Sequence, residues 1–212
     1  MITNIQKWVV SLTLLASFNI TQAAEPELWQ SVMQSLAESD IAQGHFKQSK
    51  HLKILKKPII SSGDFALLRD HGLIWNTLKP LDSSIVILDN RIYQVRENKK
   101  HLLVEEKQQG VASTLLSILS GNLTVLEQSF EIESSITNDE WSLQLSPKNE
   151  ALSRIFKLLV LKGEKQLTSA RLFEPQGTQT YIEFSQISNK PLNTEQKILL
   201  SEPVLPLKQF SP

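Results

Sequence analysis

Four histidines, His45, His51, His71 and His101, and no cysteine are what this chain offers for metal ligation by nitrogen or sulfur. No two of the histidines stand four apart, the spacing that puts two imidazoles on one helix face, so a zinc site would need ligands gathered from unrelated segments. A serine nucleophile on a strand-to-helix elbow needs Gly-x-Ser-x-Gly, and the sequence lacks that pattern. The seven glycines are dispersed, each near a turn or an element end, so no glycine-rich loop can cradle a phosphate. Asp64, Asp89, Asp139 and Glu183 fall mostly at turns or on solvent faces, and none forms a recognisable acid–base pair. These residues argue against an enzyme and imply no cofactor and no metal.

Arg69 is different, because it sits in an otherwise apolar stretch from Gly63 to Trp75. On a period of two, Phe65, Leu67 and Arg69 point to one face of a first strand, and Leu73 and Trp75 to one face of a second. A guanidinium turned toward apolar side chains needs a partner, since an isolated buried cation is too costly. Either Arg69 lies at a strand end and reaches water, or it binds or gates something in an apolar concavity.

The elements that would position it follow from periodicity. After Pro26 the segment Glu27 to Glu38 carries Leu28, Trp29, Val32, Met33 and Leu36 at helical spacing, an amphipathic helix with one broad apolar stripe. From Ile41 to Val95 short strands alternate with turn signals at Gly63, His71-Gly72 and Asp89-Asn90. A second apolar helix follows Gly110, with Val111, Leu115, Ile118 and Leu119 on one side, Leu116 beside them, and Gly121 placed to end it. Strands resume over Phe130 to Ile136, Trp141 to Leu145, Ile155 to Leu161, Leu167 to Phe173 and Tyr181 to Ile187. Few of these are separated by a helix of crossover length, so they predict one curled antiparallel sheet, mainly β with α. The two apolar helices either fill its concavity or act as a lid over a hollow. The tail from Lys190 to Pro212, with Pro191, Pro203, Pro206 and Pro212, is expected to be extended or loosely packed.

The first 23 residues read as a secretory signal. Lys7 is the only charge before Glu25, the apolar run Trp8 to Phe18 is short for a membrane span, and Thr21-Gln22-Ala23 suits cleavage after Ala23. Residues 24–212 then form a single domain, exported to the bacterial periplasm and, without cysteine, not lipidated. With 22 basic and 22 acidic residues there is no electrostatic case for nucleic-acid binding. Arg96, Lys99, Lys100, His101 and Lys107, in the segment 91–107, alternate with Glu97, Glu105 and Glu106 and read as a solvated hairpin.

The stretch Ala42 to Val95 resembles the periplasmic outer-membrane lipoprotein carriers, the LolA-like family. The resemblance rests on Phe46-Lys47-Gln48, Gly63-Asp64-Phe65, Arg69 with Trp75 six residues later, Pro80, and the run Ile85 to Leu88 before Asp89-Asn90. Asp139-Glu140-Trp141 through Leu145-Ser146-Pro147-Lys148 extends it more loosely. The chain departs from the family pattern at Asp70, where a proline usually follows the arginine, and at Asn90, often a glycine. The resemblance implies an incomplete, half-open antiparallel β-barrel, capped by helices and enclosing a hydrophobic cavity for acyl chains. It makes Arg69 the latch of a helical lid formed by Leu28, Val32, Leu36, Leu115 and Leu119. Phe65, Leu67, Leu73, Trp75, Ile85 and Ile87 become the cavity wall. The implied function is a monomeric carrier that takes an acylated lipoprotein, or another lipid-like cargo, from an inner-membrane transporter to an outer-membrane receptor. The alternative is a half-barrel sensor or interaction domain of an envelope stress pathway.

Overall fold

The computed structural model describes residues 27–88, 91–96, 99–102, 116 and 120–201. The first helix, α1 (Leu28–Leu36), begins where the Glu27 N–H donates to Gln30 Oε1 at 3.0 Å. It is followed by β1 (Ile41–His51), β2 (Ile59–Leu68), β3 (Gly72–Lys79), β4 (Ser83–Leu88), β5 (Arg91–Arg96) and β6 (Lys99–Leu102). The second half holds α2 (Leu123–Ser129), β7 (Phe130–Thr137), β8 (Glu140–Pro147), the single turn α3 (Glu150–Ser153), β9 (Leu158–Gly163), β10 (Leu167–Phe173), β11 (Gln179–Ser188) and α4 (Thr194–Ser201).

All eleven strands make one antiparallel sheet in the order β6-β5-β4-β3-β2-β1-β11-β10-β9-β8-β7. Two meanders, β1 to β6 and β7 to β11, are joined by the pairing of β1 with β11, and the outer strands β6 and β7 do not meet. The sheet is therefore an incomplete barrel capped by helices, as the sequence leads one to expect. Alternation along the strands puts two apolar faces on the first meander. Ala66, Ile74, Val86 and Tyr93 point to one side, while Phe65, Leu67, Leu73 and Ile87 point to the other. In the second meander Trp141, Leu143 and Leu145 of β8 pack with Leu159 and Leu161 of β9 beneath Trp29, Val32 and Met33 of α1.

Two local expectations are corrected. The strand expected from Ile155 starts at Leu158, because the Asn149 side chain accepts from the Leu152 N–H at 2.9 Å and turns the chain through α3, burying Leu152 and Phe156. Helix α2 is capped in the same way, with Asn122 Oδ1 accepting from the Val125 N–H at 3.2 Å. The tail holds α4, whose start is closed by reciprocal bonds of 2.8 Å between Asn193 and Gln196. Leu192 and Leu200 bury themselves against Ala66, Ile74, Val86 and Tyr93. A side of the sheet that short-range pattern could not show to be covered is thus covered by the C-terminal segment. Of the expected helix at 111–119 only Leu116 is described. Leu115 and Leu119 lie outside the described residues, as does the expected signal at 1–23. Among the described residues no helix is long and apolar enough to cross a membrane.

Candidate functional site

Strand register fixes which side chains meet. Ala42, Leu67, Leu73 and Ile87 form one row across β1 to β4, and Gly44, Phe65, Trp75 and Ile85 the next. Between these rows, the C-terminal end of α1 and the facing strand β11, there is a cavity of about 460 Å³, inside the usual range of roughly 300–1,000 Å³ for small-ligand sites. Phe65, Leu67, Leu73 and Trp75 line it together with Met33 and Leu36 from α1.

Glycine positions let the aromatic residues approach one another. A Cβ on Gly63 would fall 1.7 Å from the carbonyl oxygen of Asn76, so only glycine fits there. Phe46, Gly63's partner in the register, stacks on Trp75 with ring centroids 3.8 Å apart. Phe184 of β11 then meets Phe65 edge-on at 5.4 Å and Trp75 at 6.4 Å. The result is a rigid aromatic wall on one side of the cavity.

At the rim stands the β2–β3 turn, Arg69-Asp70-His71. The Arg69 N–H donates to the carbonyl of Asp40 at 2.8 Å. Its guanidinium donates through Nε to the carbonyl of Ser39 and through Nη2 to the carbonyl of Leu36. The last carbonyls of a helix have no partner within it and carry partial negative charge, so a cation is well suited to them. Burial pushes the Arg69 pKa below its ordinary value, and the nearby carboxylates of Asp70 and Asp40 push it back up; the group stays charged at any physiological pH. The next two residues reach other helical segments. The Asp70 N–H donates to Ser120 Oγ at 3.1 Å, and His71 Nε2 donates to the carbonyl of Leu200 at 2.7 Å. Asp70 adopts φ 54°, a conformation closed to proline. Three consecutive residues thereby tie α1, Ser120 and α4 to one turn.

The structure brings together some of the residues that the sequence singles out and separates others. Arg69, Phe65, Leu67, Leu73, Trp75 and Leu36 surround the cavity. Ile87 lies on the same face but is covered by Leu116. Ile85, paired with Trp75, is half-buried, and neither isoleucine borders the cavity. Leu28 and Val32 point instead into the core beneath α1, because the apolar stripe of that helix spans both the core and the cavity. Sequence reasoning missed Met33, Leu161, Leu167, Phe184 and Ile187. For the last pair the cause is a bulge at Gln186, with φ 52°, which shifts the pairing between Gln43/Ser188 and His45/Ser185 and brings Phe184 and Ile187 to the same side although three residues apart.

Among the described residues no group of three His, Cys, Asp or Glu side chains could hold a metal ion. Residues 37–196 match the sequence profile of the family described as outer membrane lipoprotein carrier protein LolA. The outer-membrane lipoprotein carrier protein of Legionella pneumophila strain Corby is 20% identical over 185 residues, 87% of this chain and 89% of that protein. The protein of the same description from Methylococcus capsulatus is 29% identical over 128 residues, 60% of this chain and 61% of that one. Solved structures that it resembles include a LolA superfamily protein from Nitrosomonas europaea, at TM-score 0.45 and 9% identity over 80% of this chain and 96% of that one. Another is the Pseudomonas aeruginosa MucA/MucB complex, at TM-score 0.43 and 12% identity over 79% of this chain and 59% of that one. The family profile spans most of the sequence, and the chain belongs to the LolA family of outer membrane lipoprotein carrier proteins.

Proposed function

We propose that the protein is a periplasmic carrier. It holds the acyl chains of a lipoprotein, or of another lipid-linked cargo, in the cavity beneath α1 and passes them from an inner-membrane donor to an outer-membrane receptor. The observation that carries this reading is the pairing of an apolar, aromatic-walled cavity with Arg69 hydrogen-bonded to the end of the helix above it. In this reading α1 is the lid and Arg69 its latch. The signal at 1–23 delivers residues 24–212 to the periplasm as one domain.

Energetics supports a latch. Burying a chain of ~16 carbons at about 0.8 kcal/mol per methylene stabilises a complex by about 12 kcal/mol, and several chains approach the practical limit of non-covalent affinity. A carrier that bound so tightly would not release. Lid contacts recovered by the empty form are lost again when cargo enters, and that difference lowers net affinity into a transferable range. No covalent step is involved.

Organic extraction of the protein from membrane-free periplasm, followed by mass spectrometry, tests the reading. Acylated molecules should co-purify. If none does, and neither a fluorescent lipopeptide nor a fatty-acid probe binds the purified protein, the carrier reading is wrong.

A further inference from the structure

The end of the sheet away from Arg69 has a character that the carrier reading does not use. Four features converge there: the β1–β2 loop (residues 52–58), the close of β3, the start of β4 and the β10–β11 turn. Because Lys79 at the end of β3 pairs with Ser62, the first three residues of β2 run past β3 and pair with β1 alone, β1 itself staying paired with β11 as far as His51, and the loop 52–58 extends beyond them. On this projection Ile54 is 89% exposed and Leu55, Ile59 and Ile60 are exposed as well. Leu78 and Leu81, at the β3–β4 turn, add to them, Leu81 at 79% exposure. Single exposed apolar residues are ordinary, but six at one end of a sheet are not.

Charge accompanies this oil. Lys50, Lys53, Lys56, Lys57 and Lys79 lie at the same end, where Asp82 and Glu174 are the acidic residues beside them among the described residues. One of those carboxylates is already engaged, with Lys50 Nζ 3.2 Å from Glu174. The chain as a whole has no net charge, so five lysines against two carboxylates is a local excess. The Lys53 stem lies over Gly177 of the β10–β11 turn.

We propose that this end of the sheet is a docking surface for a lipid bilayer rich in anionic phospholipid. Apolar side chains at the tip enter the headgroup boundary while the lysines around them meet phosphate, the arrangement that holds peripheral proteins at an interface. The charge excess favours an anionic surface over a neutral one. The loop 52–58, which extends beyond the last paired residues of β1 and β2, favours a soft planar partner, because it offers a point of insertion rather than a broad complementary face. The proposal stands apart from the carrier reading, since none of these side chains lines the cavity.

Flotation of the protein, recovered from periplasm after expression of the full chain, with phosphatidylglycerol/phosphatidylethanolamine vesicles tests it against phosphatidylcholine vesicles. Binding should be strong for the anionic vesicles and weaken with added salt. The pair Lys56→Glu and Lys57→Glu should lower partitioning by about tenfold or more. The pair Ile54→Ser and Leu81→Ser should lower it by a similar factor while leaving circular dichroism and thermal stability unchanged, because the altered side chains are exposed. Equal partitioning to the two vesicle types, or undiminished binding by either pair, overturns the proposal. So does crosslinking from position 54 to an envelope protein with no binding to vesicles. Loss of cargo binding with vesicle binding intact would refute the carrier reading and leave this one standing.

Discussion

Replacing Arg69 with leucine should make the protein hold its cargo too well. Among the described residues the substitution deletes two charge-assisted hydrogen bonds, to the carbonyls of Leu36 and Ser39, and leaves both carbonyls to water. Bonds to a charged group contribute about 1.5–3 kcal/mol each when buried, and half-burial lowers this to roughly 1–1.5 each, or about 2–3 kcal/mol together. At 1.4 kcal/mol per tenfold, the bias toward the closed lid drops by about 30- to 150-fold. The apparent affinity for a fluorescent lipopeptide should rise by that factor, seen mainly as slower release to acceptor vesicles in a stopped-flow assay. Arg69→Lys separates charge from geometry. An ammonium retains the charge but cannot fork to two carbonyls, so its effect should fall between wild type and leucine.

The same free energy must also appear with the opposite sign. Losing 2–3 kcal/mol from the empty protein should lower its Tm by about 5–10 °C, since in a chain of this size each kcal/mol shifts Tm by about 2–4 °C. Stability lost and affinity gained must therefore match. If the leucine variant melts lower but binds and releases the lipopeptide within threefold of wild type, Arg69 only terminates a helix and the latch is refuted. Titration offers no alternative explanation. Although burial lowers the pKa of Arg69, Asp70 and Asp40 oppose that shift and the group remains a cation, so the latch should be insensitive to pH between about 5 and 9.

Three further substitutions probe the frame around the site. Asp70→Pro is incompatible with φ 54° and deletes the N–H that meets Ser120 Oγ, so thermal unfolding should show a loss of about 3 kcal/mol or more, whereas Asp70→Gly should be nearly neutral. Gly63→Ala drives a methyl into the backbone carbonyl of Asn76, which cannot yield as a side chain would; expression and near-UV circular dichroism should report a misfolded or strongly destabilised protein. Leu200→Ala uncovers part of the face formed by Ala66, Ile74, Val86 and Tyr93, costing about 2–4 kcal/mol in urea unfolding.

How much of this was legible in the sequence depends on the range of the contact. Phe65, Leu67 and Arg69 share a face because strand alternation is local, and the neighbouring turn returns Leu73 and Trp75 to the same rows. That reasoning fails once the regular period is broken. Gln186 inserts a bulge, so Ile187 joins Phe184 on the cavity side and no count by twos would place it there. It fails again where a segment folds back over distance: the prolines of the tail suggest a loose end, yet Asn193 and Gln196 cap a helix whose leucines cover strands more than a hundred residues earlier.

Asp70 shows how these two ranges meet at the site. From the sequence it is a carboxylate set to compete for the guanidinium beside it. In the structure Arg69 reaches the carbonyls of Leu36, at the end of α1, and of Ser39 just after it, and Asp70 contributes field at a distance and, through its backbone, a bond to Ser120. The positive φ that proline forbids is what turns the Asp70 N–H toward that hydroxyl. With His71 bonded to the end of α4, a displacement of α1 is resisted by a turn that is itself anchored on Ser120 and on α4. A latch needs a fixed post as well as a hook. In the proposed latch the backbone of Asp70 is the part that fixes the post, and freeing it while leaving Arg69 in place should weaken closure as removing the guanidinium does. Ser120→Ala tests this: lipopeptide release should slow in the same direction as in Arg69→Leu, by a smaller factor of about three- to tenfold for one neutral hydrogen bond, and an unchanged rate would confine the latch to Arg69 alone.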